Sequence, residues 1–165
     1  MRVVVSDTGR ILHLLEADAL ELLEKTGEVT VPSAVERELT VRISGWSVRR
    51  PTWLRVEFVR DAAAWQVEQV TALAGLGAGE VEAIVLARSL SADWLLTDDA
   101  GARVVATVFG MEVHGSVGVV LWAAATRHID AQQANLVLDR LGKSSLWITP
   151  AILAEARRAL DTLFS

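Results

Sequence analysis

Five acidic side chains stand where a fold can gather them: Asp7, Glu38, Glu80 and the pair Asp98-Asp99. Like charges about 4 Å apart repel by roughly 4 kcal/mol per pair at an effective dielectric near 20. Carboxylates brought to one point therefore need a cation, or some of them must be protonated. Oxygen donors with no neighbouring His or Cys favour magnesium or manganese. Such an ion activates water and stabilises the oxygens of a phosphodiester undergoing attack. Each residue also has a plainer role. Asp7 and one of Asp98 or Asp99 suit helix caps, Glu80 suits a helix dipole, and Glu38 suits a solvated surface. Independent caps need not converge, so the joint placement is what points to a site.

The elements around these residues alternate. Val3-Val4-Val5 is a β-branched run ending at Ser6-Asp7-Thr8, and Val29-Thr30-Val31 is a second, stopped by Pro32. Residues 54–59 alternate with period two, residues 94–97 form a fourth strand, and residues 112–114 a fifth. Between them, helices are predicted from Ile11, over 19–25, from Ser33 to about Val41, over 62–73, over 80–90 and over 102–109. Ser33 and Glu36 have capping-box spacing, so Glu36 is assigned to that cap rather than to the site. Three further helices are predicted over 117–127, 131–141 and 150–163. Strands alternating with helices imply βα units, a parallel sheet and an α/β fold. In such sheets a site forms beyond the carboxyl ends of the strands. Asp7 and Asp98-Asp99 occupy those ends, with Glu38 and Glu80 on flanking helices.

The 165 residues suit one domain spanning 1–165, with 117–165 as a helical extension. A hydrophobic fraction of 52% fits strands covered on both faces. The absence of cysteine excludes disulfides and thiolate metal sites, and His13, His114 and His128 lack zinc-ligand spacing. No apolar stretch approaches a membrane span, and the opening apolar run is too short for a signal-peptide core, so a cytoplasmic location is expected. A net charge of -5 argues weakly against a nucleic-acid partner, unless charge is segregated or neutralised by metal.

Several strings together resemble the PIN-domain nucleases. Val4-Val5-Ser6-Asp7-Thr8 resembles their opening strand, and Val31-Pro32-Ser33-Ala34-Val35-Glu36-Arg37-Glu38-Leu39 their second motif. Leu76-Gly77-Ala78-Gly79-Glu80-Val81-Glu82-Ala83-Ile84 resembles the third, and Leu96-Thr97-Asp98-Asp99-Ala100-Gly101-Ala102-Arg103 the fourth. His114-Gly115-Ser116-Val117-Gly118-Val119 and the helical tail resemble a bacterial and archaeal branch. The resemblance implies a three-layer α/β/α fold with a five-stranded parallel sheet and a magnesium- or manganese-dependent ribonuclease site. It implies Asp7, Glu38, Glu80 and Asp99 as the acids and metal ligands, with Asp98 as the alternative to Asp99. Thr8 would orient Asp7 or a metal-bound water. It further implies an RNA substrate, the toxin role in a toxin–antitoxin pair, an antitoxin partner and a homodimer. Gly9-Arg10 departs from the small residue and proline common in relatives; Arg10 either reaches phosphate or obstructs the site.

Gly75, Gly77 and Gly79 invite a phosphate-loop reading, but the Lys-[Ser/Thr] ending is absent and no strand precedes the run. A helix-start hinge is the better fit. A phosphoacceptor receiver needs paired acids after strand one, where Asp7 stands alone. Arg10, Arg42, Arg49 and Arg50, with Trp46 and Trp53, are the candidate RNA-facing groups; the alternative is a solvated loop with Trp53 packed inward.

Overall fold

The computed structural model describes residues 1–59, 69, 72 and 75–165. Along the described chain run β1 (Val3–Ser6), α1 (Thr8–Glu16), α2 (Leu22–Thr26), β2 (Glu28–Pro32), α3 (Ser33–Arg42), α4 (Trp46–Arg49) and β3 (Arg55–Glu57). Then follow α5 (Ala78–Ser89), β4 (Trp94–Leu96), α6 (Ala100–Val108) and β5 (Val113–His114). Three helices complete it: α7 (Ser116–Ala125), α8 (Ala131–Leu141) and α9 (Pro150–Phe164). The helix predicted over 62–73 falls almost wholly outside the described residues.

The five strands pair in the order β3-β2-β1-β4-β5, every pair parallel. Strand side chains alternate between two apolar layers, as the pleat requires. Val4, Trp94 and Leu96 enter a core shared with α1, α2, α3 and the last three helices. Val5 and Leu95 face the opposite layer, filled by Ala83–Ala87 of α5 and by Ala102, Val105 and Ala106 of α6. The fold is thus the expected α/β/α arrangement around a five-stranded parallel sheet. Helices α7, α8 and α9 supply Val119, Ala123, Leu138, Leu141 and Leu160 to the first core, so the tail packs as part of it. Among the described residues no helix is long and apolar enough to cross a membrane.

The chain leaves β1 toward β2 on one side, whereas β4 sits on the other side of β1. Strand order therefore reverses between β1 and β4, and a crevice opens beyond their carboxyl ends. Asp7 follows β1, and Thr97-Asp98-Asp99 follow β4.

The predicted capping box at Ser33 and Glu36 does not form. Pro32 occupies the N-cap of α3 and offers no side-chain acceptor. Glu82 of α5 takes the Ala34 amide instead, at 2.9 Å. Glu36 turns away to accept from Trp46 Nε1 at 2.9 Å and Arg50 at 2.8 Å.

Candidate metal centre

Asp7 is both a cap and a site residue. Its Oδ1 accepts the Arg10 amide at 2.9 Å, which fixes the carboxylate at the start of α1. The residue is 2% exposed. Burial pushes its carboxyl up to about 6, against the downward pull of the Thr97 side chain and of the Arg10 amide and guanidinium; Asp98 adds a further upward push. Asp99 repeats the arrangement on the neighbouring strand. Its Oδ1 accepts the Ala102 amide at 2.7 Å and so caps α6, while its own amide donates to Thr97 Oγ1 at 3.1 Å. Unlike Asp7 it is exposed.

Asp98 has a different environment. Ser116 donates to it through its amide at 2.7 Å and its hydroxyl at 2.5 Å. His13 Nδ1 lies 2.9 Å from its Oδ2, and the Arg10 guanidinium 3.5 Å from its Oδ1. Burial raises the Asp98 carboxyl, but Arg10, His13 and Ser116 outweigh that and hold it well below the usual carboxylate range. An ionised carboxylate only accepts, so His13 Nδ1 carries the proton. Both Asp98 oxygens are taken by protein donors. Its arrangement ties β4 to α1 and α7, which leaves Asp99 the freer acid of the pair.

Arg10 is fully buried, and its Nη2 donates to the His114 carbonyl. This corrects the expectation that it reaches phosphate: the guanidinium lies under the site, between Asp98 and β5. Of the two roles expected of Thr8, orienting Asp7 is not the one its hydroxyl bond serves. Its hydroxyl donates to Glu38 Oε2 rather than to Asp7. Glu38 Oε1 in turn accepts the Gly79 amide at 3.0 Å. A Cβ at position 79 would lie 2.7 Å from Glu38 Oε2, and one at position 77 would lie 2.7 Å from Glu80 Oε2. The glycine run is therefore more than a hinge. Its bare backbone lets two carboxylates fold against the start of α5.

A cleft of about 330 Å³ is lined by Asp7, His13, Glu80, Asp98, Asp99 and Trp147, among others. Glu38 is not among its lining residues. Its bonds to Thr8 and Gly79 place it beside the cleft, where it joins the residue after Asp7 to the residue before Glu80. Among the described residues, no three His, Asp or Glu side chains converge tightly enough to hold a metal by themselves. The expected meeting of carboxylates at one point is thus an open cleft with acids along its walls. That donor set still fits a hard cation. Magnesium binds through one or two carboxylates and keeps several waters, with substrate phosphates completing its shell. Asp7, Glu80 and Asp99 supply oxygen donors of that kind, and the buried Asp7 charge is the one a cation would stabilise most.

The remaining RNA-facing candidates divide. Arg42 and Arg49 are exposed, Arg50 pairs with Glu36 at 2.8 Å, and Trp46 is buried. Trp53 packs partly against the main core. Residue types alone do not single out His13 and Trp147. His13 lies one turn after Gly9 on the face of α1 toward Asp98, a placement that helical periodicity would have shown. Trp147 sits in Ser145-Leu146-Trp147-Ile148, where alternation would send Leu146 and Ile148 one way and Trp147 the other.

No curated protein matches this chain. A family model described as DUF3368: PIN domain matches residues 3–162, which takes in all five strands and most of the last helix. The ordered motifs, the parallel sheet and the acid-lined cleft at its reversal point agree with that match: the chain belongs to the PIN-domain family.

Proposed function

We propose that the protein is a magnesium- or manganese-dependent endoribonuclease that hydrolyses RNA phosphodiester bonds. PIN domains are generally nucleases that use divalent metals, and the observation that carries the reading here is one of placement. Asp7, Glu80 and Asp99, from three distant stretches of sequence, line one cleft where the strand order reverses. A bound ion supplies Lewis acidity, which lowers the pKa of a water and stabilises phosphate oxygens. The protein's own groups do the positioning. The Arg10 and Ala102 amides orient the Asp7 and Asp99 carboxylates toward the cleft, each leaving one oxygen unclaimed by its cap. Thr8 and Gly79 hold Glu38 beside the cleft, and Asp98 with Arg10, His13 and Ser116 fixes the loop that carries Asp99.

The test is incubation of purified protein with single-stranded RNA and manganese, set against Asp99→Asn. Cleavage that falls about 100-fold or more in the variant is expected; equal cleavage by both proteins refutes the assignment. The open arrangement of acids favours one other reading, a module that binds RNA or protein without cutting. Intact RNA, bound by the protein in the presence of manganese, would select it.

The toxin role in a toxin–antitoxin pair, with an antitoxin partner, a homodimer and a cytoplasmic location, belongs to the same proposal. Its support is the motif resemblance, together with Val41 and Val48 exposed on α3 and α4 and Val104 and Val108 exposed on α6. Light scattering at micromolar concentration reads the dimer directly: the mass of a single chain refutes it.

A further inference from the structure

The loop between α8 and α9 holds an indole out in solvent. Leu146 and Ile148 pack against the main core. Ser145 is fastened to Glu16, its amide donating at 2.7 Å and its hydroxyl at 2.8 Å. Trp147, between these anchors, is 86% exposed. The ring stands between two hollows. One is the acid-lined cleft; the other, of about 460 Å³, is walled by Arg103, His114, Val117 and Ile152 among others. Asp98, Leu146 and Trp147 line both.

Resting on the nuclease reading above, we propose that this second hollow is a nucleotide subsite. The base of an unpaired RNA nucleotide flanking the scissile phosphate stacks on Trp147, and Arg103 meets a phosphate of the same strand. Three features favour that occupant. The volume falls in the range of small-ligand pockets, and the Trp147 face shares the hollow with Arg103, whose Nη1 donates to the Thr97 carbonyl at 3.3 Å while its other guanidinium donors remain to meet a phosphate; the pair matches a base joined to a phosphate. The shared wall sets the subsite next to the reacting phosphate, as neighbouring nucleotides of one strand require. The net charge of -5 weakens general attraction to RNA, which leaves local stacking as a main source of affinity. Stacking needs an unpaired base, so the segment bound at this subsite is single-stranded.

The test is fluorescence anisotropy without metal, with a labelled single-stranded RNA and a second RNA lacking the bases that flank the cleavage site. Trp147→Ala is expected to weaken binding of the intact RNA roughly tenfold, Trp147→Phe to restore most of it, and Leu136→Ala, exposed on α8 and outside both hollows, to match the wild type. Removal of the bases is expected to weaken binding to the wild type but to change little in Trp147→Ala. Equal affinities of wild type and Trp147→Ala, an equal penalty for base removal in both, or no RNA binding by the wild type overturns the subsite. Loss of a dimer by Trp147→Ala with unchanged RNA affinity assigns the hollow to a second copy and also overturns it. Because binding is read apart from cleavage, the two readings fail separately. Trp147-dependent binding by a protein that cuts nothing rejects the nuclease, whereas cleavage indifferent to Trp147 rejects the subsite.

Discussion

Asp7 and Asp98 lie in one buried patch and are driven in opposite directions. Asp98 is held ionised by Arg10, His13 and Ser116, so its contribution to stability is present above the unfolded carboxylate range and is lost only as pH falls below it. Asp7, raised to about 6 by burial, contributes in the reverse sense. Its stabilising effect is full below about pH 4 and is lost as pH rises through about 6. Metal-free protein should therefore lose on the order of 3 kcal/mol between those limits through this residue. Asp7→Asn removes the ionisation, so urea unfolding in chelator is expected to show a more stable protein at pH 7 with a flatter profile from pH 4 to 6. An unchanged profile contradicts the burial account. The same variant is expected to lose metal-dependent cleavage, which separates function from folding at one carboxylate. Gly79→Ala makes a complementary separation. The atoms it displaces belong to the flexible end of Glu38, and alanine suits a helix, so stability should change by no more than about 1 kcal/mol. Glu38 must leave the Gly79 amide, and cleavage is expected to fall at least tenfold. A fully active Gly79→Ala would show that Glu38 has no part in the site.

Elements were legible in the sequence where local signals were consistent. The run Val3-Val4-Val5 and the pattern from 131 to 141 became β1 and α8, the latter with Asp130 and Gln133 forming a reciprocal cap. Ser33 and Glu36 carried the same signal and misled, because Pro32 took the cap position and a partner on another helix replaced the local one. The four-residue α4 follows Gly45 at a φ of 69°, a backbone feature that periodicity does not report. The burial of Arg10 is not legible locally for a related reason. Arginine is ordinarily exposed, and the partners that allow its burial lie on β5 and in the loop after β4. Arg10→Ala leaves Asp98 without its guanidinium in a largely buried setting. A loss of about 3–5 kcal/mol in chemical denaturation is expected, against about 1 kcal/mol for removing the α9 cap with Thr149→Ala. Similar losses in both variants would show that the Arg10–Asp98 contact is weak.

Across the whole molecule, the order of acids along the chain was readable and their exact arrangement was not. Alternating strands and helices implied a parallel sheet, and a parallel sheet places Asp7 and Asp98-Asp99 on one edge. Which aspartate is freer depended on Ser116 and His13, contacts that only the folded chain brings together. The helical tail read as an extension, yet its apolar residues complete the main core. Leu138→Ala is accordingly expected to destabilise the entire protein by about 2–5 kcal/mol in a single transition; a separate early transition of the tail would contradict that. The central claim concerns the cleft between β1 and β4, and crystals grown with manganese test it most directly. An anomalous difference peak within coordination distance of at least two of Asp7, Glu80 and Asp99 is expected, and Asp99→Asn should weaken it. Well-ordered crystals at saturating manganese with no peak in that cleft, or with the metal held only elsewhere, would contradict the assignment.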